Sequence, residues 1–303
     1  MIKRTICLES PAHVKCRNDQ LVVSYSGIKG LESLPDKTVP IEDIGILVLE
    51  HPQITISHYL LNRLIQNNSA IVTCDAHHHP SGMLLNLEGN SVQSERFRAQ
   101  IDASEPLKKQ LWQQTVKAKI INQASLLSRY GMPSETLKNY SQSVRSGDAD
   151  NNEAKAAAYY WQHLFPPAWM FYRKRDGVPP NNLLNYGYAI LRACVARALV
   201  GSGLLPTLGI FHRNRYNAYC LADDIMEPYR PFVDAIVREI IEHTSQVETL
   251  TQELKVKLLK LPTVDVLLEE GTSPLFVAVQ RTSASLARCF LGEEKKLLYP
   301  EFP

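Results

Sequence analysis

The chain has 303 residues, enough to bury a sizeable core and to form two domains. It is 45% hydrophobic and 21% charged, the balance of an ordinary globular protein rather than of a low-complexity chain. A formal net charge of +2 is too small to identify a nucleic-acid binder, so only the placement of the charges is informative.

The chain opens on MIKRTICLES, which lacks the apolar core of a signal peptide. TICLES, HVKCR, LVVSYS, KTVPI, IGILVLE, QITIS and AIVTCD are short, β-branched and bounded by turn residues, and they predict strands. Arg17-Asn18-Asp19-Gln20 predicts a reversal between the second and third. HYLLNRLIQ predicts one intervening helix, stopped by Asn67-Asn68. Apolar strands such as IGILVLE, taken with exposed sheet edges, predict pairing with a second copy through this half. Residues 76–90 read as a connector rich in Gly, Pro and His. His77, His78 and His79 within it suit a polar loop better than a metal tract, because consecutive histidines do not easily converge on one ion.

From about Ser91 the pattern changes to helical periodicity. ERFRAQIDA, LKKQLWQQTVKAKIINQASLLSRY, NEAKAAAYYWQHLF, NNLLNYGYAILRACVARALV, PFVDAIVREIIEHTSQVETLTQELKVKLLKL and PLFVAVQRTSASLARCFLG predict amphipathic or buried helices. The expected fold is therefore α+β, with a small β-sandwich or rolled sheet over residues 1–86 and an α-helical domain over residues 87–303. No apolar run reaches the ~18–20 residues of a membrane span, residues 189–200 being interrupted by Arg192 and Arg197. The six cysteines form no CxxC pair, as expected of a reducing, cytoplasmic compartment.

Residues 205–234, LPTLGIFHRNRYNAYCLADDIMEPYRPFVD, carry the strongest chemical signal. YNAYCLADDIM predicts a short helix, and Pro228 and Pro231 disrupt or kink the chain just beyond it. Asp224 and Glu227 are three apart and share a helix face. His212 on the loop before them completes an imidazole–carboxylate set suited to a hard or borderline divalent ion. Upstream, Glu153 comes after an Asp/Asn-rich stretch. Asp150 with Glu153 has the form of a helix capping box, which alone accounts for both residues. Arg173, Lys174 and Arg175 lie beside aromatics and a Gly-Val-Pro-Pro turn, and Arg213 and Arg215 flank the histidine. Both groups are candidates to grip phosphates, although a solvated loop is the commoner meaning of such a run.

Over essentially its whole length the sequence resembles the CRISPR-associated endonuclease one family, the spacer integrases of bacterial adaptive immunity. The resemblance is carried by IEDIGILVLE, NEAKAAAYYW, PPNNLLNYGYAILRA and LGIFHRNRYNAYCLADDIMEPYRPFVD, and HRNRYNAYCLADDIMEPYRP looks most like the type II subgroup. It implies a β-sandwich N-terminal domain, an α-helical catalytic domain and a homodimer that assembles with CRISPR-associated protein two. The substrates implied are double-stranded DNA with 3′-hydroxyl ends and CRISPR repeat DNA. It further implies Mg²⁺ or Mn²⁺ held by Glu153, His212 and Glu227, with Asp224 supporting them, and so gives Glu153 a metal role beside its place at a helix start. Asp223 is left as exposed or structural. The rival readings are a metal-dependent nuclease with no integrase role and a catalytically silent DNA-binding scaffold.

Overall fold

A computed structural model describes residues 3–76, 80–174, 177–244 and 246–303. His77, His78, His79 and Arg175 lie outside the described residues. The chain divides into two compact units, Met1–Gly89 and Asn90–Pro303.

The first unit is built from β1 (Arg4–Leu8), β2 (Ala12–Arg17), β3 (Gln20–Ser24), β4 (Lys37–Pro40), β5 (Ile44–Leu49), β6 (Ile54–Ile56), β7 (Ala70–Cys74) and β8 (Pro80–Leu84), with helix α1 (His58–Gln66) between β6 and β7. They form two four-stranded sheets, in the orders β1-β5-β7-β8 and β4-β3-β2-β6. Leu21, Val23, Ile44, Leu47, Leu60 and Ile71 belong to one shared core, to which both sheets and α1 contribute. The predicted reversal is a tight hairpin: Asn18 and Asp19 take φ of 51° and 54°, the left-handed pair that matches strand twist. Ser57 caps α1, its Oγ accepting from the Leu60 amide at 3.3 Å.

Two expectations change here. The IGILVL run is not an exposed edge. It is β5, paired in parallel with β1 on one side and β7 on the other, so its continuous apolarity reflects burial of a central strand. It therefore gives no reason for self-pairing. The connector is also shorter than expected, because Pro80–Leu84 forms the antiparallel edge strand β8, with Val72 opposite Met83. A Pro-Ser-Gly sequence hides a strand that pairs on one side only, where proline at the first position costs no ladder bond.

The second unit contains α2 (Gln93–Ile101), α3 (Glu105–Arg129), α4 (Glu135–Ser143), α5 (Asn152–Leu164), α6 (Asn181–Gly201), α7 (Cys220–Met226), α8 (Arg230–His243), α9 (Gln252–Leu259) and α10 (Leu275–Phe290). Helix α6 is long and apolar enough to cross a membrane by length and composition, but 83% of its apolar window is buried in the protein. It is the central helix of this unit, and α7, α8, α9 and α10 pack around it. Gly187 permits the closest approach, since a Cβ there would lie 2.4 Å from Val233 Cγ1 of α8.

The long helix expected after Pro231 is two. Helix α8 ends where Thr244 turns extended, and Thr251 starts α9 by accepting from the Leu254 amide at 3.4 Å. The helical half also holds a hairpin, β9 (Asp265–Leu268) with β10 (Gly271–Pro274), that periodicity did not reveal.

Candidate metal centre on helix α3

Helix α3 supplies the floor. Trp112 and Lys119 are seven residues apart, two turns along one face, and both are buried. Above them lie the start of α5, the loop 205–219 and the turn where α7 meets α8.

Glu153 is the second residue of α5. The helix start is capped by Asp148, not by the Asp150 of the expected capping box. Asp148 Oδ1 and Oδ2 accept from the Asn152 and Glu153 amides at 2.9 Å each, whereas Asp150 pairs with Arg145. Asn151 takes φ of 53°, and this turn lets Asp148 reach across. The capping need is thus met without the Glu153 side chain, which instead makes an ion pair with Lys119 Nζ.

Glu227 begins a 3-10 turn, Glu227–Tyr229, that joins α7 to α8. Asn122 of α3 holds this turn, its Nδ2 donating to the Pro228 carbonyl at 2.8 Å. The Glu227 carboxylate is 9% exposed. Its Oε1 accepts from Arg230 Nε at 2.7 Å. Its Oε2 lies 2.6 Å from Lys119 Nζ. Burial pushes this carboxyl up, yet the Arg230 and Lys119 charges outweigh burial and hold it at about 2. Burial pulls the Lys119 ammonium down, and the Glu227 and Glu153 charges more than restore it.

Asp224 and Glu227 share α7 and its end but serve different partners. Asp224 is fully buried and accepts from the backbone amides of Phe211 at 2.9 Å and His212 at 3.2 Å. His212 Nδ1 stands 2.5 Å from Asp224 Oδ1. This bond puts the neutral imidazole's proton on Nδ1 and leaves Nε2 as a lone-pair donor. The same bond raises the imidazole above its usual value, and the Glu227 charge adds to the rise. The Phe211 ring stacks on Trp112 with centroids 4.2 Å apart, and His212 meets Trp112 edge-on at 5.7 Å. Gln100 of α2 ties down the loop by donating to the Leu205 and Leu208 carbonyls, each at 3.0 Å.

The structure therefore draws Glu153 and Glu227 onto one cationic point and sets His212 on an Asp224 hinge against Trp112, on the same face of α3. Both carboxylates and Nε2 are the oxygen and nitrogen donors that suit Mg²⁺ or Mn²⁺. The Glu153 and Glu227 oxygens that meet at the Lys119 ammonium already hold one cation, which fits a cation site at that point. The three ligand atoms are less tightly gathered than another group. Among the described residues, Cys7, Glu9 and Glu50 of the first unit bring their ligand atoms within 4.8 Å of one another. A thiol in that set is a poor match for a hard ion.

Asp223 is structural, taking Arg192 Nε and Asn217 Nδ2 at 2.7 Å each. Of the predicted phosphate-gripping cations, Arg173 is engaged within the fold. It donates to Asn181 at 2.8 Å and Asn185 at 2.9 Å, and its guanidinium lies over the Tyr188 ring. Arg213 pairs with Glu105 at 2.5 Å, Arg215 lies over Tyr216 on the surface, and Lys174 is exposed. Sequence reasoning missed Lys119, Arg230 and Trp112. Arg230 stood inside the EPYRP motif and was available to it. Lys119 and Trp112 lie on an amphipathic helix remote in sequence, where nothing local distinguishes them.

Glu227 gives a stability signature. Its folded value of about 2 lies below the ordinary 4.5, so its contribution is present above pH 4.5 and lost as pH falls towards 2. Without divalent ions, the wild type should lose on the order of 3 kcal/mol across that window relative to Glu227→Gln. Urea unfolding of both proteins at stepped pH checks this, and parallel curves would refute it.

Comparison with known proteins then agrees on the family. A model of "CRISPR associated protein Cas1" matches residues 6–261. The chain is 34% identical over 304 residues to a CRISPR-associated endonuclease Cas1 of Neisseria meningitidis serogroup C (strain 8013), covering 99% of this chain and 97% of that one. Among solved structures, a casposase bound to integration product superposes with a TM-score of 0.80 at 19% identity, covering 99% of this chain and 94% of that one. A chain of a Cas6-RT-Cas1–Cas2 complex superposes with a TM-score of 0.74 at 19% identity, covering all of this chain and 36% of that one.

Proposed function

This chain belongs to the Cas1 family of CRISPR-associated proteins, and from that premise we propose that it is a metal-dependent DNA endonuclease and integrase of spacer acquisition. One observation carries the reading. Two carboxylates from separate elements, Glu153 and Glu227, converge on a single cationic point, and a histidine whose Nε2 is left open by Asp224 packs on Trp112 along the same face of α3.

The reaction is transesterification at a repeat boundary. The 3′-hydroxyl oxygen of a captured DNA fragment forms a bond to a backbone phosphorus of the CRISPR repeat. The bond from that phosphorus to the old strand's 3′-oxygen breaks, and the leaving oxygen takes up a proton. One phosphodiester replaces another. With water as nucleophile the same site acts as a nuclease. Mg²⁺ or Mn²⁺, held by Glu153, Glu227 and His212 Nε2, would favour ionisation of the attacking hydroxyl and offset charge on the phosphoryl oxygens. Asp224 fixes the imidazole's proton on Nδ1 and its ring orientation. Arg230 orients Glu227 by its hydrogen bond to Oε1. Trp112 and Phe211 form an apolar wall beside the imidazole.

The same reading carries the partners: DNA with 3′-hydroxyl ends, repeat DNA, a second copy through the β-rich unit, and Cas2. Support for Cas2 comes from the neighbour that is a chain of a Cas1–Cas2 complex. The cytoplasm is the compartment that fits six free cysteines among the described residues. The type II subgroup rests on HRNRYNAYCLADDIMEPYRP. A strand-transfer assay on a supercoiled repeat-containing plasmid, with and without Cas2, tests the whole. Joined products in Mg²⁺ or Mn²⁺ are expected. Cleavage without joining would make it a nuclease, and metal-independent DNA binding with no product would make it a scaffold.

Lys174, Arg213 and Arg215 are the surface cations proposed to meet phosphate, with Arg173 shaping the loop that bears Lys174; Arg175 is included on sequence alone. Lys174→Ala and Arg215→Ala should each weaken DNA binding and lower the slope of log affinity against log salt by about 1. Equal slopes for variant and wild type would return both residues to the solvated surface.

A further inference from the structure

Lys119 has no part in the proposed reaction, yet it sits where the two carboxylates meet. Its side chain is 9% exposed, and a buried lysine is tolerated only when paired. The pairing is unusual in form. Glu153 and Glu227 approach the same ammonium from two different elements, so Lys119 lies at the point their oxygens share.

The two cations on Glu227 are held differently. Arg230 donates a hydrogen bond to Oε1, and its guanidinium lies 4.5 Å from the centroid of the Tyr188 ring, so its place is determined by direction and by stacking. Lys119 lies 2.6 Å from Oε2 and donates to Glu153 Oε1. Its ammonium is a compact charge with rotatable donors on a flexible four-carbon stem. Together the two glutamates and the two cations are neutral. A dication added to that set would leave a strongly positive buried cluster, whereas one that replaced the ammonium would leave a smaller excess.

We propose that Lys119 is a resident counter-cation of the Glu153–Glu227 pair, and that a divalent ion enters this site by exchange, driving the Lys119 ammonium from between the two carboxylates. Lys119 keeps the carboxylates converged before the ion arrives and sets a threshold for its binding. The inference rests on the reading of Glu153 and Glu227 as ligands, and the test separates the two.

The experiment is equilibrium binding of Mn²⁺ to the DNA-free full chain at pH 8, with free Mn²⁺ followed by electron paramagnetic resonance. Lys119→Met should bind Mn²⁺ at least about tenfold more tightly than wild type, because a neighbouring unit charge of the same sign is gone. Glu153→Gln and Glu227→Gln should lose binding. If both glutamine variants bind like wild type, the ligand reading fails. If they lose binding but Lys119→Met binds equally or less tightly than wild type, the exchange is overturned. A second measurement on wild type guards against misfolding of the methionine variant. Lys119 should be acylated slowly by an amine-reactive ester in the absence of divalent ion and faster as Mn²⁺ is added, as read by mass spectrometry. A rate that stays constant up to saturating Mn²⁺ overturns the proposal.

Discussion

Glu153→Ala, His212→Ala and Glu227→Ala are each expected to lower strand transfer and cleavage by about 10³-fold or more in Mg²⁺ or Mn²⁺, with DNA affinity largely kept. The three differ in what else they disturb. His212→Ala leaves the buried Asp224 carboxylate its two amide donors, and Glu153→Ala leaves the buried Lys119 ammonium its Glu227 partner. Glu227 is 9% exposed and faces two cations. Its removal strands Lys119 and Arg230, at a cost of about 3–5 kcal/mol. Glu153→Gln, which leaves Lys119 paired with Glu227, is therefore the informative variant, combined with a thermal melt. Activity lost with the melt unchanged supports the ligand role; activity that survives in all three variants sinks it. Asp224 had a lesser, supporting place in the sequence reading. The structure raises its expected effect to the level of the ligands, because one buried carboxylate holds the imidazole and two loop amides.

Gly209→Ala is expected to lower strand transfer by about 10²-fold or more while the helical unit stays folded. The reason is space. A Cβ at this position would stand 2.4 Å from the His212 carbonyl oxygen and 2.7 Å from Asp224 Oδ2, with Cys220 Cβ at 3.1 Å. The first neighbour is backbone and the second a fully buried carboxylate, so neither moves away freely. The loop must shift, and it carries the imidazole with it. A displacement on the order of 1 Å at a reacting centre costs about that much rate. Turnover, the melting temperature and Mn²⁺ affinity of Gly209→Ala distinguish the cases. Lost turnover with a near-normal melt and weakened Mn²⁺ binding is the expected pattern. Wild-type turnover would show that the loop adapts and that His212 is not placed by this contact.

The elements with a clear period were legible. The strands from TICLES to AIVTCD and most of the long helices come from β-branched runs and apolar spacing, which are local properties of the chain. Elements that depend on a partner were not. Strand β8 is a strand because β7 offers it a ladder. The β9–β10 hairpin breaks a helical half for a similar reason. The break between α8 and α9 rests on a cap at Thr251 that periodicity alone passes over. At the site, the motif around His212, Asp224 and Glu227 was legible because it lies within sixteen consecutive residues. Glu153 entered only through family resemblance, since its own surroundings suggested a helix cap.

The sequence by itself thus determined the β-then-helix order and the family, and it singled out three of the four acid and imidazole residues of the candidate site, because His212, Asp224 and Glu227 are written in one contiguous stretch. Only the tertiary structure decided what those residues face. Asp148 rather than Asp150 caps α5 because the left-handed Asn151 turn brings it to the amides. Asp224 turns to His212 while Glu227 turns to Lys119, although the two lie three residues apart, because α7 gives way to a 3-10 turn at Glu227. Lys119 joins Glu153 and Glu227 across separations of 34 and 108 residues. No local pattern encodes such a meeting; packing α5 and the α7–α8 turn onto one face of α3 creates it.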